Sequence, residues 1–182
     1  MLRLTISESE YYDEDTEEFV RIKPCTISLE HSLISMAKWE SKWKKPFLSS
    51  KDKSYSELLD YIKCMTINNV DDENVYLAIT PEQFEEVSEY INDPMTATTF
   101  NNRGFNTQNH AKDVITAEIL YYGMVALQIP FECQKWHLNR LMTLLRVCEI
   151  KNQPPKKIPK HELYKRNAAL NAARRAKYNT SG

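Results

Sequence analysis

Cys133 and His137 stand four residues apart, a spacing that sets two soft ligands on one helical face, as a zinc site requires. Two ligands do not make a site, and Cys25, Cys64, His31, His110 and His161 could complete it only by converging in the fold, so no metal is expected. The same pair as thiolate and base would need an exposed thiol of low pKa and an orienting group, and no residue pattern supplies either. Cys148 falls on an apolar stripe and reads as a small hydrophobe. Asp71, Asp72, Glu73 and Asn74 lack the alternating ligands and central glycine of an EF-hand loop and read as a solvated turn. With glycine only at 104, 123 and 182, neither a Walker A loop nor a dinucleotide fingerprint can be built. The expectation is a non-enzymatic chain with no catalytic residue, no cofactor and no metal.

What remains is the chemistry of surfaces. Residues 1–30 carry 3 basic and 8 acidic groups, whereas residues 151–182 carry 9 basic and 1 acidic, although the whole chain nets only −1. Opposed ends of this kind favour head-to-tail self-association or a charged partner. Lys156, Lys157, Lys160, Lys165, Arg166, Arg174, Arg175 and Lys177 could neutralise phosphates, but only Tyr164 and Tyr178 interleave them, so a protein partner is preferred to nucleic acid. Two groups are therefore candidate partner-binding residues: Trp39, Trp43, Lys44 and Lys45, and the arm bearing Leu163, Arg166, Leu170, Arg174, Arg175 and Lys177. For the tryptophans, core anchoring is the first reading and an exposed Trp/Lys surface the second.

These residues need elements to position them. The longest apolar pattern occupies residues 114–148. Its first half, to Ile129, is apolar at nearly every position and predicts a helix buried on most sides. In its second half Leu138, Leu141, Met142, Leu145 and Cys148 recur at helical spacing and predict a single buried stripe. Pro130 separates the two, which gives a central helical hairpin with a tight Pro-Phe connection. Upstream, Leu2, Leu4 and Ile6 alternate with polar residues and Phe19, Val20, Arg21 and Ile22 alternate again after an acidic loop from Glu8 to Glu18, predicting two antiparallel strands whose exposed edge could take a further strand. Ser28 is a plausible N-cap for a helix ending near Lys44, with Leu29, Leu33, Met36 and Trp43 on one face, Trp39 at its flank, and Glu40 interrupting the pattern. Ser54 caps a helix through Leu58, Leu59, Ile62 and Met65, and Thr80-Pro81-Glu82-Gln83 opens another that runs to about Ile91. Residues 95–110 lack periodicity and read as a loop that is either mobile or functional, mobility first, and residues 152–159, with three prolines, read as an extended linker. Residues 161–178 are rich in alanine but offer only Leu163 and Leu170 for burial: a helix in want of a partner, or a tail that orders on binding.

The fold class expected is therefore mainly α: a β-hairpin over residues 1–27, a helical core over 28–150, and a basic linker and helical arm over 151–182. Four scattered cysteines, no signal peptide, and an uninterrupted apolar run no longer than residues 119–127 point to a soluble protein of a reducing cytoplasm.

Four stretches, HSLISMAKWESKWKKPFL at 31–48, DPMTATTF at 93–100, ITAEILYYGMVALQIPFECQKWHLNRLMTLLRVCEIKNQPPKKI at 115–158 and the RNAALNAARRAKYNTSG ending, resemble a family of small proteins from the structural gene blocks of tailed bacteriophages, described as tail assembly chaperones. The resemblance spans most of the chain. It implies a helical, non-catalytic protein that coats the tape-measure protein and helps deliver tail-tube subunits, acting in the host bacterial cytoplasm. The alternative it leaves is a component of the tail or baseplate that stays in the virion. The family supplies no defined functional residues to carry over.

Overall fold

The computed structural model describes residues 1–13, 17–49, 53–100, 114–152 and 159–180. The chain forms two compact units, Met1–Glu149 and Ile150–Gly182. It is mainly helical, with an N-terminal antiparallel ribbon.

The ribbon is longer than the alternation predicts. Strand β1 (Leu2–Ile6) pairs with β4 (Cys25–Leu29), and β2 (Ser9–Asp13) pairs with β3 (Glu18–Ile22). The two pairings share one register: Ile6 faces Cys25, and three residues on Ser9 faces Ile22. Pro24, which has no N–H to give, lies in the interruption between them. Leu2–Ile6 thus pairs with Cys25–Leu29 rather than with Phe19–Ile22, and Glu8 to Asp13, expected in a loop, lies largely in strand. Leu4, Ile6, Ile22, Ile27 and Leu29 are all fully buried, so one ribbon face is core.

Ser28 consequently belongs to β4 and caps nothing. The cap of α1 (Leu33–Trp43) is Ser32, whose hydroxyl accepts from the Ser35 N–H, and the helix closes at Lys44 in the left-handed region. Helices α2 (Tyr55–Met65) and α3 (Pro81–Asn92) begin at Ser54 and Thr80, as the sequence predicts, and each carries a complete capping box. Asp72, in the acidic turn, caps a 3-10 turn over Glu73–Ala78 by accepting from the Asn74 N–H. Beside it Asn68 acts as a piece of strand, its carbonyl accepting from the Ser28 N–H and its amide donating to the Thr26 carbonyl.

The apolar stretch resolves into α4 (Ala117–Ala126), a 3-10 turn (Phe131–Lys135) and α5 (Leu138–Asn152). The connection is longer than the tight turn expected. Packing of α4 is chiefly on α1, and Gly123 lets α5 approach: a Cβ there would stand 3.2 Å from Leu145 Cδ2. Burial on most sides is not what α4 shows. Ala117, Leu120 and Met124 form its one buried face, while Ile119, Tyr122 and Val125 are exposed. The second unit holds α6 (Lys160–Tyr178), a helix with no buried residue, ended by Asn179 in the left-handed region. Most of the expected loop at 95–110 and all but the ends of the linker at 152–159 lie outside the described residues.

Glu40, the residue that interrupts the apolar face of α1, explains how α4 is held. It is 8% exposed, and its carboxylate accepts from the Phe47 N–H at 2.7 Å and from the Ala117 N–H at 2.8 Å. The Thr116 side chain makes no capping hydrogen bond to α4, and a carboxylate from 77 residues upstream takes the first N–H of the helix instead. Two hydrogen bonds to a charged acceptor predict that Glu40→Ala lowers stability by about 3 kcal/mol in urea titration, and Glu40→Gln, which keeps one acceptor, by about half that.

Candidate interaction surface

The Cys133–His137 pair does not form a site. Cys133 is buried in the 3-10 turn, and His137, just before α5, sends Nε2 to the Tyr90 carbonyl at 3.0 Å. Its convergent partner is His31: the ring centroids lie 5.0 Å apart, both rings are buried, and His31 Nδ1 hydrogen-bonds the Tyr61 hydroxyl. Tyr90 in turn donates to Glu30 at 2.7 Å, so a buried polar knot joins α1, α2, α3 and α5. Among the described residues no cluster of three or more His, Cys, Asp or Glu could hold a metal ion. Burial raises the pKa of Cys64, and of Cys25 with help from Asp72.

The tryptophans part company. Trp39 is 0% exposed and donates Nε1–H to the Glu57 carbonyl at 2.8 Å, so its assignment to a contact surface is corrected: it is the core anchor of α1 on α2. Trp43 stacks on it at 6.3 Å between centroids, is half-buried, and donates to Asp60. Lys44 and Lys45 are exposed, with Lys45 bonded to Glu57 at 2.6 Å, an ion pair that together with the Ser54 N–H holds the Glu57 carboxyl below its usual range.

Lys44 and Lys45 also share a cleft of about 410 Å³ with Val114, Thr116 and Glu118 at the start of α4. From there the outer face of α4 runs Ile119, Tyr122 and Val125, spaced i, i+3 and i+6, with Tyr122 73% and Val125 60% exposed and Ile115 exposed just ahead of the helix. Lysines therefore rim one end of an apolar helical stripe. The sequence pattern missed this face because α4 is apolar all round: hydrophobicity without a polar side cannot say which side is covered. On α6, Leu163 and Leu170 are 42% and 47% exposed, and Arg166, Arg174, Arg175 and Lys177 are exposed around them. Among the described residues no helix is long and apolar enough to cross a membrane.

The knot gives the fold a pH dependence. Burial first, and the neighbouring His137 second, push His31 down to about 3, and burial lowers His137 as well against the pull of the Tyr90 carbonyl. Both rings are neutral in the folded protein and take up protons on unfolding, so the unfolded state binds more protons below about pH 6.5 and stability falls as pH drops from there toward 3. His31 alone predicts a loss of about 1.5 kcal/mol between about pH 6.5 and 5. In urea titrations across that range, His31→Gln flattens the slope even where it lowers stability at pH 7.

No protein-family model, curated protein or solved structure matches this chain.

Proposed function

We propose that this chain is a non-enzymatic tail assembly protein of a tailed bacteriophage, which shields the tape-measure protein in the host cytoplasm while the tail tube is built. The observation that carries the reading is the outer face of α4: Ile119, Tyr122 and Val125 exposed on a helix whose opposite face is firmly seated, with Ile115 exposed just ahead of it. An apolar stripe at helical spacing, bordered by Lys44 and Lys45, suits a long amphipathic helix with acidic flanks, and contacts of this kind can be made and released during assembly. Trp43, half-buried beside Lys45, extends the same border. The arm, with Leu163, Arg166, Leu170, Arg174, Arg175 and Lys177, adds a second contact surface for a tail protein or for another copy. The four stretches that resemble tail assembly chaperones support the same reading.

Two substitutions test it. Ile119→Lys with Tyr122→Lys replaces exposed side chains, so the thermal midpoint should stay within a few degrees of the parent. Co-expressed with the tape-measure protein, the parent chain should keep that protein in the supernatant and the double variant should not. Equal solubility with parent, variant and no chain at all removes the proposal. Mass spectrometry of purified virions separates the chaperone from a tail or baseplate component: the chaperone is absent from the finished particle, and stoichiometric recovery there assigns the chain to the virion instead.

A further inference from the structure

Helix α6 holds its form with no buried residue, on backbone propensity alone: five alanines, and neither glycine nor proline, lie between Lys160 and Tyr178. It carries six cations, Lys160, Lys165, Arg166, Arg174, Arg175 and Lys177, against one carboxylate, Glu162, over about 27 Å of helix axis. All of them are exposed, and among the described residues none of the six cations stands in a salt bridge. A run of charge left without its counter-charge points to a polyanionic partner.

The placement of the cations around the helix says which polyanion. At about 100° per residue, Ala168, Ala169, Ala172, Ala173 and Ala176 fall within about 140° of the circumference, a face of methyl groups that also holds Lys165 and, in the first turn, Glu162. Arg175 borders one edge of that face, and Arg166 and Lys177 border the other, each within about 40° of it. The line of Leu163 and Leu170 lies about 140° round from its middle. A flat acidic protein surface would meet one edge at a time and would ask for an apolar stripe to bury. Cations on both edges of a small-residue face suit a groove with a row of phosphates on each wall. The major groove of B-form DNA is about 12 Å wide and admits a helix, and alanines let the helix backbone sit deep in it. The major groove of A-form RNA is too narrow to be read this way. Single strands are gripped by stacked aromatic rings, and the arm has only Tyr164 and Tyr178. Scarce aromatics thus count against a single strand and not against a duplex.

We infer that α6 binds duplex DNA by lying in the major groove with its alanine face inward, Arg175 on the phosphates of one wall and Arg166 and Lys177 on those of the other. Lys165, on the inward face, is placed to donate to base edges, and Glu162 keeps the first turn outside the contact. Phosphate contacts of this kind set position and carry little sequence preference. The inference is independent of the tail-assembly reading, since it uses neither the outer face of α4 nor the leucine line of the arm, and either can fail while the other stands.

The test titrates the full chain into a short fluorescent DNA duplex and follows anisotropy over a series of salt concentrations. Three phosphate contacts predict that log affinity falls against log salt with a slope of about −2.7. Arg166→Gln with Arg175→Gln should make that slope shallower by about 1.8 and weaken binding on the order of tenfold or more at low salt. Ala172→Leu with Ala176→Leu keeps charge and helix propensity, checked by circular dichroism, and should also weaken binding on the order of tenfold, because the larger side chains hold the helix off the groove floor. Leu163→Gln with Leu170→Gln should leave the affinity within about twofold, since that line faces away. Duplex RNA and single-stranded DNA of the same length should bind on the order of tenfold more weakly. No binding to the duplex at low salt overturns the inference, as does a salt slope that the arginine pair leaves unchanged. Equal affinity for duplex RNA, or binding that the alanine variants do not weaken, overturns the seating in the major groove. Poly-glutamate that competes as well as unlabelled duplex overturns it too, since an acidic protein would then satisfy the arm equally.

Discussion

A single buried carboxylate sets the geometry on which the outer surface depends. Glu40 sits in the last turn of α1, where a helix that packs on α2 and α4 would ordinarily carry an apolar side chain, and its two oxygens receive one backbone N–H each from Phe47 and Ala117. A desolvated carboxylate is costly unless its lone pairs are filled, and the first turn of a helix supplies both unpaired donors and the positive end of the dipole. The turn after α1 and the start of α4 are thereby fixed to the same residue. That fixation places the start of α4, whose inward face is the one that carries Ala117, Leu120 and Met124.

The other half of the body is organised by hydrogen bonds to chain ends. Asn139 of α5 donates to the Ile91 and Asp93 carbonyls at the end of α3, His137 reaches the Tyr90 carbonyl, and Gln83 at the start of α3 donates to the Thr5 carbonyl of β1. Helix α3, with its four exposed glutamates, is thus pinned at both ends to elements distant in sequence. Its acidic outer side and the basic arm are the two strongest charge features on described elements, and the chain keeps them on separate compact units.

What was legible in the sequence was local. The capping boxes at Ser54 and Thr80, the proline at the first turn of α3 and the alanine-rich arm all announce helices through backbone chemistry that acts within four residues. What failed depended on distant partners. Ser28 carries the right side chain for an N-cap, yet β1 claims it for the ribbon, and Ser32 caps instead. Trp39 and Trp43 are chemically alike, and only the position of α2 puts one inside and leaves the other at the edge. The apolar character of α4 foretold a helix but not its exposed face. His31 and His137 could meet only through folding, and they meet as neutral, buried rings that join four helices.

Function, on this account, follows from faces that the packed elements leave open. A helix such as α4 keeps an exposed stripe of isoleucine, tyrosine and valine at a cost in solubility, which is understandable if a partner covers it for part of its life. The most direct test places a photo-crosslinking side chain at Tyr122 and, as a control, at Lys151 near the end of α5, and irradiates cells in which tails are assembling. The account predicts an adduct between position 122 and the tape-measure protein that appears during assembly and is lost from finished particles. Absence of that adduct, with equal background from position 151, would contradict it.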